Sequence, residues 1–144
     1  MSEPAAPVQD WSHSLELSPA FHDLDPMQIV WHGHYLKYLE LVRCALLQRY
    51  DYDYPQMAES GYAWPIVDLR TKYVRPARYG QRLKLYAQIV EWEYRLKIRY
   101  LISDADSGEV MTRAHTVQVA VDARSGEMCY VSPPVLRERL GIAP

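Results

Sequence analysis

Tyr35-Leu36-Lys37-Tyr38-Leu39-Glu40-Leu41-Val42-Arg43-Cys44-Ala45-Leu46-Leu47-Gln48-Arg49-Tyr50 is the stretch on which the fold depends. Lys37, Glu40 and Arg43 recur at helical spacing as a narrow polar stripe, while Leu36, Leu39, Val42, Leu46 and Leu47 fill most of the remaining circumference. A helix that is apolar nearly all round has to be largely enclosed by other structure. The chain that follows supplies the enclosure. After a short helical or irregular stretch, Pro55 to Ser60, and the break at Gly61, the pattern changes to period two for most of the remaining sequence.

That period places strands at about Trp64 to Val74, Leu83 to Trp92, Leu96 to Ser103 and Val110 to Val121, with a short last one near Met128 to Val131. The third is the clearest: Leu96, Ile98, Tyr100 and Ile102 fall on one side, Arg95, Lys97 and Arg99 on the other. Asp104-Ala105-Asp106-Ser107-Gly108 and Asp122-Ala123-Arg124-Ser125-Gly126 read as hairpin turns, each with a Gly able to take positive φ. Ser132 as N-cap and Pro133 in the first turn predict a terminal helix over Val135 to Leu140, stopped by Gly141. One enclosed helix followed by antiparallel strands is an α+β layer in which the sheet curls around the helix. Four or five strands leave unpaired edges, so the subunit is expected to form a homo-oligomer that extends its sheet.

At 144 residues the chain suits one domain, expected over residues 13–144 behind a flexible tail, Met1 to Ser12, that lacks the basic start and apolar centre of a signal peptide. The formal net charge of -2 comes from interspersed acids and bases, which argues against nucleic acid as the main partner. No apolar run approaches the ~20 residues that span a bilayer. Cys44 and Cys129 have no metal-ligand neighbours at the usual spacing and read as buried free thiols of a cytoplasmic protein.

The chemistry gathers just before the helix, in Phe21-His22-Asp23-Leu24-Asp25-Pro26-Met27-Gln28-Ile29-Val30-Trp31-His32-Gly33-His34-Tyr35. Pro26 disfavours the α conformation at Asp25, so this carboxylate belongs to an extended loop and is aimed out of it. The helix is expected to begin near His32 to His34, where the first backbone N–H groups lack intrahelical partners and carry partial positive charge. A carboxylate beside such a helix end offers a nucleophile or general base next to an oxyanion site, the parts that acyl transfer requires. In an extended segment Asp23 points to the same side as Asp25, where mutual repulsion would raise one apparent pKa; bonding loop N–H groups is the plainer role for Asp23. His32 and His34 lie two apart, on nearly opposite helix faces, so they do not share one metal or one substrate atom. His34 is then a surface or interface residue. Although His22, Asp23 and Asp25 are close in sequence, their spacing matches no established metal site, and none is expected.

The Asp23-Leu24-Asp25 motif with Val30-Trp31-His32-Gly33-His34-Tyr35, together with Pro76-Ala77-Arg78-Tyr79-Gly80, resembles the hotdog-fold acyl-CoA thioesterases of the 4-hydroxybenzoyl-CoA thioesterase type, in order of elements from about Leu15 to Val131. Trp31-His32-Gly33, Arg43-Cys44-Ala45-Leu46-Leu47 and Pro65-Ile66-Val67-Asp68-Leu69 further resemble the subgroup that accompanies aryl polyene or xanthomonadin-type pigment synthesis. The resemblance implies a hotdog fold, an antiparallel sheet wrapped around a long central helix. It implies Asp25 as the catalytic carboxylate and His32 as the position whose backbone N–H, and sometimes imidazole, meets the thioester carbonyl. Many relatives carry Gly where Gln28 stands, and this loop borders the thioester, so Gln28 is a candidate substrate contact. Trp31, Gly33 and Tyr35 are others, and Arg75 and Arg78, near the strand turn, are candidates for carrier phosphates because Arg presents forked donors. Tyr38 reads as packing, and Tyr50-Asp51-Tyr52-Asp53-Tyr54 as the close of the helix and a subunit contact.

The expected activity is hydrolysis of an acyl thioester on coenzyme A or an acyl-carrier protein, with no cofactor beyond the coenzyme A or phosphopantetheine of the substrate and a dimer or a tetramer of dimers as the assembly. A hotdog dehydratase acting on a 3-hydroxyacyl thioester fits less well, because it pairs His with a carboxylate instead of using Asp-x-Asp. A non-catalytic acyl-thioester binding protein of a biosynthetic assembly is the alternative from another class.

Overall fold

The computed structural model describes residues 10–143. Most of the expected tail, residues 1–9, lies outside them. Its last residues are part of the fold: the Trp11 indole packs against the core and its Nε1–H donates to Leu140 O at 3.1 Å, and a strand that the sequence reading missed, β1 (Ser12–Leu17), starts beside it. The helix then runs as α1 (Tyr35–Arg49) behind a single 3-10 turn, His32–His34, and a short second helix, α2 (Tyr54–Glu59), follows. After it come β2 (Tyr62–Ala63), β3 (Ile66–Tyr73), β4 (Leu83–Glu91), β5 (Leu96–Asp104), β6 (Val110–Gln118), β7 (Val121–Asp122) and α3 (Pro134–Arg139). The expected strand at Met128 to Val131 reduces to one bridge between Met128 and Val121. Pro133, not Ser132, is the N-cap of α3, and the Ser132 hydroxyl is buried without a partner.

Five strands form one antiparallel sheet in the order β1-β4-β5-β6-β3, with β2 and β7 as a separate pair. Its hairpins turn as the sequence predicts: Asp104 Oδ1 accepts the N–H groups of Asp106 and Ser107, Asp122 Oδ1 those of Arg124 and Ser125, and Gly108 and Gly126 close them at φ 77° and 74°. The register aligns Leu85 with Ile102, Ala87 with Tyr100 and Ile89 with Ile98, so one face of β4 and β5 is continuously apolar and packs on α1.

Two expectations about α1 need correction. The helix is buried on one side only, through its own Tyr35, Tyr38, Leu39, Val42, Leu46 and Leu47, while Leu36 and Leu41 stay exposed because the five strands of one subunit do not reach round it. Arg43, expected on the polar stripe, is buried. Its guanidinium lies against the hydroxyls of Tyr100 (3.4 Å) and Tyr54 (3.2 Å). Of the tyrosine run, Tyr52 turns inward and is buried, with its hydroxyl on Ser60 Oγ at 2.9 Å and under the Trp64 indole N–H at 3.0 Å, while Tyr54 stays partly exposed.

Candidate active site

Asp25 heads a tight turn built as its neighbours dictate. Gln28 N–H donates to Asp25 O at 2.8 Å, Met27 N–H donates to the carboxylate Oδ1 at 2.8 Å, and Asp25 N–H donates to Ile29 O at 2.9 Å. Asp before Pro is the favoured start of such a turn. Leu24 and Val30 bridge across it, and Gln28 takes φ 62°, the left-handed position that a bulge after the turn usually reserves for glycine. Asp25 is half-buried, and its Oδ2 takes no hydrogen bond among the described residues.

The turn is clamped from both sides. Val30 N–H donates to Ala77 O, Ala77 N–H donates to the buried Tyr35 hydroxyl, both at 2.9 Å, and Ile29 bridges to Arg78. Tyr35 thus contributes its ring to the wall while its oxygen is already engaged. On the other side Trp31 N–H donates to Asp23 O at 2.9 Å. Asp23 does not lie extended beside Asp25 but in a 3-10 turn, Phe21–Asp23, where Oδ2 accepts Ala20 N–H at 3.0 Å and the Tyr38 hydroxyl at 2.8 Å. Burial works against its charge, yet the Tyr38 hydroxyl, the Ala20 N–H and the imidazoles of His22 and His34 together hold the carboxyl below the ordinary aspartate range. Asp23 therefore does not show the raised pKa expected from repulsion. Burial and the same contact push the Tyr38 phenol well above its ordinary value, and the bond to Asp23 gives Tyr38 a role beyond packing.

At the start of α1, Trp31 lies against both imidazoles, His32 at 4.9 Å and His34 at 5.3 Å between ring centroids. His34 is half-buried with an unpartnered Nδ1, not a plain surface residue. Glycine at position 33 leaves room for the Trp31 ring, which a Cβ would have to displace. The His32 and Gly33 N–H groups stand where the helix supplies no acceptor. Tyr73, which the sequence reading overlooked, fixes this end by donating its hydroxyl to His32 O at 2.6 Å. No local pattern could have signalled a bond between residues so far apart in the chain.

A cleft of about 270 Å³ gathers Asp25, Val30, His32, Tyr35, Tyr73 and Arg75. Beyond Asp25 a hollow of about 530 Å³ is lined by Phe21, Leu24, Asp25, Gln28, Arg78 and Tyr79, with Phe21 and Tyr79 edge to face at 6.2 Å. Arg75 is held by Glu109 at 2.9 Å, whereas Arg78 makes no ion pair among the described residues. Further along α1 and β3 an apolar cavity of about 720 Å³ is bounded by Leu36, Leu39, Tyr54, Met57, Trp64 and Leu69, with Arg43 in its wall. Among the described residues no group of three or more His, Cys, Asp or Glu is placed to hold a metal, and no helix is long and apolar enough to cross a membrane.

This geometry, a carboxylate on a clamped turn facing a helix start over a half-open sheet, agrees with a family model that matches residues 19–140, the Thioesterase-like superfamily. The chain belongs to that superfamily. It is 32% identical over 120 residues, 83% of this chain and 72% of the relative, to a protein of Synechocystis named "Putative esterase sll0410". A Bacillus subtilis protein named "Putative acyl-CoA thioesterase YneP" is 28% identical over 76% of this chain and 80% of its own. Among solved structures, the 1,4-dihydroxy-2-naphthoyl-CoA thioesterase Slr0204 of Synechocystis superposes with a TM-score of 0.78 at 20% identity, covering 90% of this chain and 96% of that one. The fold is the hotdog α+β fold.

Proposed function

We propose that the protein is an acyl thioesterase that hydrolyses an acyl-CoA or acyl-carrier-protein thioester, of the 4-hydroxybenzoyl-CoA thioesterase type and of the subgroup that serves aryl polyene or xanthomonadin-type synthesis in the cytoplasm. The observation that carries this reading is the Asp25 turn: Oδ1 is tied to Met27 N–H, so Oδ2 is presented to a cleft whose other wall is the start of α1. The thioester carbonyl accepts from the N–H of His32 or Gly33, and the helix end stabilises the oxyanion as it forms. Asp25 either attacks the carbonyl, giving a mixed anhydride and a thiolate, or takes a proton from an attacking water. Label on Asp25 after single turnover in heavy-oxygen water identifies the anhydride route, because only hydrolysis of the anhydride at the enzyme's carbonyl places it there. No cofactor is used beyond the coenzyme A or phosphopantetheine of the substrate.

The remaining contacts follow from placement. Gln28 lines the hollow beside Asp25, the ring of Tyr35 lines the cleft, and Trp31 reaches it only through His32, on which it packs; of the two arginines Arg78 is the better phosphate ligand, because Glu109 already occupies Arg75. Edge strand β3 exposes Ile66, Val67, Leu69 and Tyr73 beside its unpaired backbone, which suits pairing with a second copy in a dimer or a tetramer of dimers.

The test is thiol release from benzoyl, short-chain, long-chain and polyenoyl thioesters by wild type and Asp25→Asn in parallel. Turnover by wild type with a loss of about 10²- to 10⁴-fold in the variant supports the reading. Full activity in the variant overturns the role of Asp25, and an enoyl product in place of free acid would identify a dehydratase.

A further inference from the structure

The face of the sheet turned away from α1 carries an arrangement that the thioesterase site does not use. Strand register places Arg70 directly opposite His115, and His115 opposite Arg99; one row along, Lys72 is directly opposite Arg113. These side chains lie on the face opposite Leu96, Ile98 and Tyr100, and Arg70, Lys72, Arg99 and Arg113 are all exposed. None of the four arginine and lysine side chains pairs with a carboxylate among the described residues. The carboxylates Glu16, Asp68 and Glu91 sit only at the margins of this face; Glu16 lies 3.5 Å from Arg82 and Glu91 is taken by Arg95 at 2.6 Å. Like charges directly opposite each other destabilise an antiparallel pair. A chain with a formal net charge of -2 has nonetheless set one such pair, Lys72 and Arg113, among further exposed arginines on one face, an arrangement suited to a partner of opposite sign.

We infer that this cationic sheet face docks an acidic carrier protein bearing the acyl thioester, so that the physiological substrate is carried on protein and not on free coenzyme A. The inference rests on the thioesterase reading. Its position supports it: Lys72 adjoins Tyr73 on β3, and Tyr73 lines the Asp25 cleft on the other side of the same edge strand. A carrier seated on the outer face therefore needs only to pass a flexible arm past the end of β3, where Val74 and Arg75 also line the cleft. Complementary charge speeds such encounters and makes them sensitive to salt.

The experiment compares one acyl group, the best in the thioester panel, on coenzyme A and on an acidic acyl carrier protein, for wild type, Lys72→Glu and the double change Arg99→Gln with Arg113→Gln, at low and high salt. Folding is not at risk in Lys72→Glu, which replaces a repulsive cross-strand pair with an attractive one, and its thermal midpoint should equal or exceed that of wild type. Both variants should lose about tenfold or more in kcat/KM with the carrier-protein substrate and stay within about twofold with acyl-CoA, and salt should erase the wild-type advantage. Unchanged carrier-protein turnover in both variants overturns the inference and leaves the thioesterase standing, as does loss of binding to DNA or to phosphatidylglycerol vesicles in its place. Absence of turnover with every thioester overturns both.

Discussion

The two flanks of the sheet's inner face are built to different ends. On the β4–β5 flank, Leu83, Leu85, Ala87, Leu96 and Ile98 are fully enclosed against α1. On the β6–β3 flank the same inward positions hold Thr112, Thr116 and Gln118, and across the register from them Tyr73, Leu69 and Ile66 face a furrow that a single subunit leaves open. The sealed flank stores the stability. The open one tolerates polar groups, a buried arginine and an unpaired edge because it must admit a ligand and, on our reading, a second copy. The difference explains why the chemistry collects at the end of α1 nearest β3.

The largest test of this division is Asp25→Asn. The amide oxygen can still accept Met27 N–H, so the turn survives, while hydrolysis falls by the 10²- to 10⁴-fold expected above and the urea midpoint stays within error of wild type. A large fall in stability would mean that Asp25 belongs to the scaffold. The converse is Leu85→Ala on the sealed flank. It should cost about 2–5 kcal/mol in urea unfolding and leave kcat/KM of the folded fraction nearly unchanged, since Leu85 is 0% exposed and far from the furrow.

The sealed flank was also the legible one. Alternation in β5 and the apolar run of α1 state their partners in the sequence, because burial imposes a period that local residues reveal. β1 escaped because Ser-His-Ser-Leu-Glu-Leu offers only Leu15 and Leu17 as apolar marks, and its pairing with β4 spans about half of the chain. Arg43 was misassigned for a related reason. Charge predicts exposure unless distant hydroxyls cover it, and Tyr100 and Tyr54 do so only in three dimensions. In the site, Asp25-Pro26 and the helix start were readable from local chemistry, whereas Tyr73, the Ala77 clamp on Tyr35 and the Glu109 hold on Arg75 come from contacts that no local pattern encodes.

Asp23 lies between the flanks, tying the site loop to Tyr38 in the core, and its charge makes the tie pH-dependent. Its carboxyl titrates lower in the folded protein than in the unfolded chain, so its contribution is complete above the ordinary aspartate range and is lost as pH falls through the lowered folded value. Asp23→Asn should therefore cost about 1–3 kcal/mol at neutral pH, and the gap from wild type should narrow in acid. A gap independent of pH would show that packing, not the carboxylate, secures the loop.

The smallest expected effect separates strain from recognition at Gln28. A non-glycine residue at φ 62° carries a penalty of about 1–2 kcal/mol that Gly does not, offset in part by the greater freedom of Gly in the unfolded chain. Gln28→Gly should therefore raise stability by up to about 1 kcal/mol, a shift of a few degrees in the thermal midpoint. Activity carries the information. If the amide meets the acyl group or its carrier, the more stable variant will show a raised KM with the better substrates of the panel, and the strain is then maintained for binding. If KM is unchanged for every acyl group, Gln28 is only a strained turn residue, and the open flank recognises its ligand through the furrow alone.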